Sequence, residues 1–441
     1  MPKFTITTLG CKVNQCESDA IATQLRSADW SRALNNEPSE ICIINTCTVT
    51  QKASMQSRQA VRRAIRANPT ARIVVTGCYA QTEPDAIEGI KGVDYIVGNT
   101  DKHAICDLIR ADNKPAPGRP LTICSDSQPQ PDMEPAPDAA AGGRTRPFFK
   151  IQDGCDAFCT YCIVPYARGP SRSKSLESVL AGIQSLSSAG YQEIVLTGIH
   201  LGNYGIDLSP KTDLGELLNR IDDLNLIPRV RLSSIEPLEL TDDIIKRVAE
   251  SKIFCRHFHI PLQSGDDGTL QRMGRPYSAK DFRQRVTKIH DLLPDAAIGV
   301  DTLIGFPGET DTAFENTYAL IKTLPVAYLH VFPFSPRPGT PAAGYPDKVS
   351  PQVVKYRCER MRALGNVKRN DFYNQFIGRQ LEILVETTRH KPTGLLKGFS
   401  SNYIPILIDA PDDQKNKLVI VKAQKRIGTN LLGINDPPQS G

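Results

Sequence analysis

Cys155, Cys159 and Cys162 stand in the run Gly154-Cys155-Asp156-Ala157-Phe158-Cys159-Thr160-Tyr161-Cys162, a C-x3-C-x2-C triplet just after an apolar stretch at 148–151. Three thiolates at that spacing can hold iron. A structural zinc site takes four protein ligands and a closed four-iron four-sulfur cluster takes four cysteines, so three leave one position open. An open iron beside a cavity suits S-adenosylmethionine (SAM), which can chelate the iron and be cleaved reductively to a radical. A structural zinc site with its fourth ligand elsewhere in the chain is the bland alternative.

A second set of cysteines shares a placement rather than a spacing. Strand-like runs at 4–8, 41–45 and 72–76 lead into Leu9-Gly10-Cys11, Thr46-Cys47 and Gly77-Cys78, and a helix-like stretch follows each, at 15–28, 51–67 and 83–89. In an open parallel sheet the carboxyl ends of the strands share one edge, so thiols far apart in sequence can converge there. The remaining cysteines, Cys16, Cys42, Cys106, Cys124, Cys255 and Cys358, have no such pattern and are assigned to packing or surface, since a lone cysteine is a small hydrophobe.

These sites need a scaffold, and the chain supplies enough of one. Its 441 residues can build two or three domains with substantial cores. The sequence predicts an α/β protein with an N-terminal open parallel sheet domain at 1–111 and a Pro-rich linker at 112–146. Strands at 148–151, 193–197, 229–233, 257–260, 297–304 and 327–332 alternate with amphipathic helices, which predicts a partial parallel (β/α) barrel domain at 147–350. The active face of such a barrel is at the carboxyl ends of its strands, and the Cys155 triplet follows the first of them. A basic helical connector at 351–376 leads to a small all-β module at 377–441, with strands expected at 380–386, 403–408 and 417–422.

Twelve cysteines without a secretory signal point to reduced thiols rather than a disulfide framework. No apolar run approaches the ~20 residues of a membrane helix, so a cytoplasmic protein without membrane contact is expected. The net charge of +5 decides nothing, but its distribution is suggestive. Arg58, Arg62, Arg63 and Arg66 recur at helical spacing, Lys355, Arg357, Arg360, Arg362, Lys368 and Arg369 crowd the connector, and Lys415, Lys417, Lys422, Lys425 and Arg426 flank the β module. Each group alone fits a solvated face; together they suggest an RNA footprint.

With these residues in view the chain resembles the radical-SAM methylthiotransferases. The resemblance rests on the Cys155 triplet and on Thr8-Leu9-Gly10-Cys11-Lys12-Val13-Asn14-Gln15, Ile44-Asn45-Thr46-Cys47-Thr48-Val49-Thr50, Thr76-Gly77-Cys78-Tyr79-Ala80-Gln81 and Leu196-Thr197-Gly198-Ile199-His200. It is similar in detail to the branch acting on N6-threonylcarbamoyladenosine at position 37 of tRNA, because Lys12-Val13-Asn14 stands where the isopentenyladenosine branch has Gln-Met-Asn. Two departures stand out: tyrosine in Pro165-Tyr166-Ala167-Arg168-Gly169 where the family often has tryptophan, and a loose match of 398–403 to the RNA-binding TRAM pattern.

The resemblance implies two 4Fe-4S clusters, on Cys11, Cys47 and Cys78 and on Cys155, Cys159 and Cys162, with SAM at the second. It also implies a tRNA anticodon stem-loop as partner, an electron donor such as flavodoxin or ferredoxin, and a sulfur donor that the sequence does not identify. Candidate SAM contacts at strand ends are Tyr161, Gly198, Glu236, Gln263 and Asp301, and candidate RNA contacts are Arg58, Arg62, Arg63, Lys422 and Lys425. Other readings are a relative acting on isopentenyladenosine in tRNA or on a ribosomal-protein aspartate, or an iron–sulfur RNA-binding or electron-transfer protein without radical activity.

Overall fold

The computed structural model describes residues 1–33, 37–111, 115, 119–125 and 143–435. Most of the predicted linker at 112–146 therefore lies outside the described residues.

The N-terminal sheet has six strands, all paired in parallel, in spatial order Ser31–Arg32, Lys3–Thr8, Ile41–Thr46, Arg72–Gly77, Tyr95–Val97 and Leu121–Ile123. The central strands are apolar on both faces because helices cover both, as a parallel sheet requires. Register places Thr8 beside Asn45 and Asn45 beside Thr76, so the three strands that precede cysteines end at one level. The helix predicted at 15–28 starts earlier, at Lys12, and runs to Arg26, while the helix Gln51–Ala67 begins at a Thr50 cap whose hydroxyl accepts from the Ala53 amide at 3.0 Å. Leu121–Ile123 was expected in the linker. It is instead the edge strand of this sheet, since its backbone pairs with Tyr95–Val97.

Six more parallel strands form an open arc: Phe148–Lys150, Glu193–Thr197, Arg229–Leu232, His257–Gln263, Ala297–Ile304 and Tyr328–Pro333. Two bridges, Val230 to Phe254 and Ser234 to His259, join the third strand to the region of the fourth. The arc is a partial barrel whose inner residues recur with period two, as at His257, His259 and at Arg231, Ser233.

The helix Pro351–Asn374 packs on the last strands of the arc and leads into a closed five-stranded barrel in the order Gln380–Arg389, Leu396–Ser400, Pro405–Ile408, Asn430–Asn435 and Leu418–Ile427. Two of those strands, Leu396–Ser400 and Asn430–Asn435, were not predicted, because glycine and polar residues interrupt their apolar alternation. The connector's basic residues fitted either a solvated helix face or part of an RNA footprint. Several are consumed in packing: Arg357 is buried against Glu309 at 2.6 Å and Asp311 at 2.7 Å, Arg360 pairs with Glu315 and lies over Tyr318, and Lys368 donates to the carbonyls of Lys322 and Leu324.

Candidate active site

Each N-terminal cysteine stands where a strand turns sharply into a helix. Gly10 has φ +96°, and a Cβ there would approach the Cys47 side chain to 2.8 Å; Gly77 has φ +98°, and a Cβ would strike the Thr46 backbone at 2.5 Å. Only glycine tolerates both the angle and the contact, so these turns bring the backbone close to the neighbouring strand end. Cys11 is the N-cap of the helix Lys12–Arg26, and Asn14 ties the edge together by donating to the carbonyls of Leu9 at 2.7 Å and Thr46 at 2.9 Å. Cys11, Cys47 and Cys78 are close enough to act on one another electrostatically.

The second triplet sits on the loop after the first barrel strand. The Arg275 guanidinium donates to the Cys159 Sγ at 3.2 Å, and Cys155 Sγ lies 3.3 Å from His200 Nδ1. Cys155 and Cys159 in turn act on Cys162 electrostatically.

Burial pushes the Cys47 thiol up to about 11 and the Cys162 thiol up to about 12, and raises Cys11 despite the nearby Arg168. Without metal these are protonated thiols at neutral pH, poor nucleophiles whose thiolate form calls for a cation. A single zinc is a poor match for either set. Tetrahedral thiolates on one zinc lie ~3.8 Å apart, whereas His259, Asp301 and His330 form the one trio of candidate ligands within 4.8 Å of one another among the described residues. Three cysteine sulfurs that act on one another but are not gathered on one point fit the larger frame of an iron–sulfur cluster.

Arg168 links the two halves. It ends the short helix Val164–Arg168 that follows the barrel triplet, and it donates to Glu17 at 2.7 Å, to Asp153 at 2.9 Å and to Asn14 Oδ1 at 2.6 Å. On the other flank Arg337 donates to Thr48 and to Glu83, both at 2.6 Å, and Asn99 donates to the Ala167 carbonyl at 2.7 Å. The N-terminal cysteine edge is thereby docked on the barrel's active face.

Between them lies a cavity of about 700 Å³ that runs along the inside of the arc from Cys11 to Tyr403 of the C-terminal barrel, past Gly198, Arg231, His259 and Asp301. A smaller cavity of about 260 Å³ is lined by Tyr161, Cys162 and Gln263, with Val49 and Thr50 of the N-terminal domain. Val164 and Phe332 line both.

The candidate SAM contacts divide accordingly. Tyr161 and Gln263 line the smaller cavity, Gln263 with a left-handed φ of +61° at a bulge in its strand. Gly198 and Asp301 line the larger, where a Cβ on Gly198 would press on Gln152 at 2.8 Å. Asp301 is held by two histidines, accepting from His259 Nε2 at 2.9 Å and His330 Nδ1 at 3.1 Å, which with burial working against them keep its carboxyl below the usual range. Glu236 was expected to receive an ammonium or ribose. It is ion-paired with Arg275, and burial raises its carboxyl.

Among the RNA candidates, Arg62, Arg63, Lys422 and Lys425 are exposed, whereas Arg58 donates to the Tyr79 hydroxyl at 2.6 Å and lies over its ring. Sequence reasoning gave no role to Arg168, Glu17, Arg275 or His200. Glu17 carried a signal, since it shares the Val13–Glu17–Ile21 stripe on the buried face of its helix, where a carboxylate demands a partner.

Residues 149–321 match the family model of the Radical SAM superfamily, and residues 3–98 match the one described as Uncharacterized protein family UPF0004. The chain is 40% identical over 421 residues to the threonylcarbamoyladenosine tRNA methylthiotransferase MtaB of Bacillus subtilis, covering 95% of this chain and 93% of that one. The chain belongs to the radical-SAM tRNA methylthiotransferase family.

Within that family it is also 36% identical to the protein of the same name in Thermotoga maritima, over 92% of this chain and 91% of that one. Identity to a tRNA-2-methylthio-N(6)-dimethylallyladenosine synthase of Clostridium botulinum is 32%, over 98% and 96%. Among solved structures, the radical SAM methyltransferase TsrM of Kitasatospora setae matches with a TM-score of 0.57 at 16% identity, over 78% of this chain and 77% of that one, which speaks to fold alone. This methylthiotransferase uses SAM and 4Fe-4S chemistry. No described helix is long and apolar enough to cross a membrane.

Proposed function

We propose that the chain adds a methylthio group to carbon 2 of N6-threonylcarbamoyladenosine at position 37 of tRNA. One observation carries this reading: one cavity is lined both by Cys11 of the N-terminal edge and by the inner residues of a radical-SAM arc, in a chain whose relatives of that name match over nearly its full length. The C–H bond at carbon 2 of adenine is unactivated and no acid or base at neutral pH removes that hydrogen. When bound, a cluster on Cys155, Cys159 and Cys162 with SAM supplies radical chemistry, and a second cluster on Cys11, Cys47 and Cys78 supplies sulfur.

The protein's own residues provide position and exclusion. Arg168, Glu17 and Asn14 fix the two cysteine sets relative to each other, Arg275 donates a hydrogen bond to the Cys159 sulfur, and His200 Nδ1 lies within hydrogen-bond distance of the Cys155 sulfur. Tyr161 and Gln263 bound the smaller cavity for SAM, with Gly198 and Asp301 on the side facing the larger one. Adenosine 37 enters the larger cavity, a base taken out of its stack so that carbon 2 can be reached. The anticodon stem-loop lies against exposed Arg62 and Arg63, and against Lys422 and Lys425 of the C-terminal barrel. The enzyme works in the cytoplasm with a low-potential donor such as flavodoxin or ferredoxin. Mass spectrometry of tRNA nucleosides tests the assignment. Cells lacking the protein should accumulate threonylcarbamoyladenosine without its 2-methylthio derivative, and an unchanged level of that derivative would overturn the substrate.

A further inference from the structure

Four lysine or arginine side chains line the larger cavity, and the fold partners three of them. Arg231 donates to Glu193 at 2.8 Å and to the carbonyls of Ser400 and Ser401. Arg146 pairs with Glu386 at 2.8 Å and lies over the Phe399 ring, and Arg144 is 3.6 Å from Asp19. Lys12 has no hydrogen bond and no ion pair among the described residues. The cavity's carboxylates are also spoken for, Asp301 by His259 and His330 and Glu386 by Arg146. The site therefore carries, on the residue directly after Cys11, an ammonium with no direct hydrogen-bond or ion-pair partner among the described residues, on which Asp301 acts only from beyond contact distance.

Substrate chemistry supplies what is missing. On the reading proposed above, N6 of the adenine bears a threonine joined through a carbonyl, and that group ends in a carboxylate. Carbon 2 and carbon 6 flank the same ring nitrogen, so a base whose carbon 2 is presented to the N-terminal cysteine edge carries its N6 substituent along the same side of the cavity. We propose that Lys12 receives the carboxylate of that substituent and so selects an adenosine with an anionic N6 group over one with a neutral group. The selection works in both directions: an apolar substituent would leave the ammonium unpaired in a confined site, and loss of the ammonium would strand a carboxylate there. This inference rests on the threonylcarbamoyladenosine reading and goes beyond it by naming the residue that enforces it.

The test measures dissociation constants of the cluster-loaded protein for two anticodon stem-loop RNAs, one carrying threonylcarbamoyladenosine at position 37 and one carrying its threonine carboxamide. Wild type should prefer the carboxylate by about tenfold, a difference of ~1.4 kcal/mol. Lys12→Gln and Lys12→Met should bind the two RNAs equally, and Lys12→Arg should keep the preference; iron content of each variant reports whether the cysteine edge is intact. A preference unchanged in Lys12→Gln and Lys12→Met overturns the assignment, as does an equal loss of affinity for both RNAs, which would mark a phosphate contact. If wild type fails to methylthiolate the threonylcarbamoyl RNA, the substrate reading falls. If wild type turns it over while the Lys12 variants discriminate as before, only the role of Lys12 falls.

Discussion

Arg168 donates to the Glu17 carboxylate at 2.7 Å, across 151 residues of chain, with both side chains almost wholly buried. The pair fastens the helix after the barrel triplet to the helix after Cys11, so the spacing of the two cysteine sets depends on it.

Arg168→Ala should destabilise the docked domains. Removing one partner of a buried pair strands the other, at a cost of about 3–5 kcal/mol, and Lys102 and Lys150 beside Glu17 should hold the loss near the lower end. Urea denaturation checks this. Burial alone would raise Glu17, but Arg168, Lys102 and Lys150 outweigh it and hold the carboxyl well below the usual range. The folded pKa is thus below the unfolded value of ~4.3, so the stabilisation is complete above that value and is lost progressively as pH falls from there to the folded pKa. The metal-free protein should accordingly lose stability below about pH 4.3, and Arg168→Ala should show a shallower dependence.

Replacing Cys155, Cys159 and Cys162 together by alanine should remove about half the iron and abolish 5′-deoxyadenosine formation. Replacing Cys11, Cys47 and Cys78 should also remove about half the iron, yet leave 5′-deoxyadenosine formation in place while methylthiolated product disappears. Iron assay with chromatography of the nucleoside products reads both, and loss of all iron from either variant would contradict two separate clusters.

The parts of this architecture visible in the sequence are those set by local pattern. The helix Gln51–Ala67 is bounded by a threonine cap and an amphipathic repeat, and the strands before Cys11, Cys47 and Cys78 announce themselves as short apolar runs ending at glycine or threonine. Leu396–Ser400 and Asn430–Asn435 are held by pairing around a closed barrel, which no local pattern encodes. The same divide runs through the site. Cysteine spacing is local, whereas the pairing of Glu236 with Arg275 and of Arg58 with Tyr79 exists only after folding, and each takes a residue that looked free for a ligand.

Arg275→Leu should lower the reduction potential of the cluster on the Cys155 triplet. The wild-type guanidinium donates to Cys159 Sγ at 3.2 Å, and a cation that hydrogen-bonds a ligand sulfur favours the more negative reduced state. A redox titration followed by electron paramagnetic resonance should show the midpoint shifted to more negative values, with the N-terminal cluster unmoved. A stationary midpoint would reduce Arg275 to a partner for Glu236.

The exposed and buried arginines should separate in the salt dependence of tRNA binding. Arg62 and Arg63 are exposed on the helix Gln51–Ala67, so the double alanine variant should lower the slope of log K against log salt by about 1.5. Arg357→Ala should leave the slope unchanged, because its guanidinium is committed to Glu309 and Asp311. It should instead cost about 3 kcal/mol of stability, the penalty for a stranded buried carboxylate. Filter binding between low and moderate salt, with thermal denaturation alongside, distinguishes the two. If Arg357→Ala flattened the slope while its melting temperature held, the connector would be an RNA surface after all.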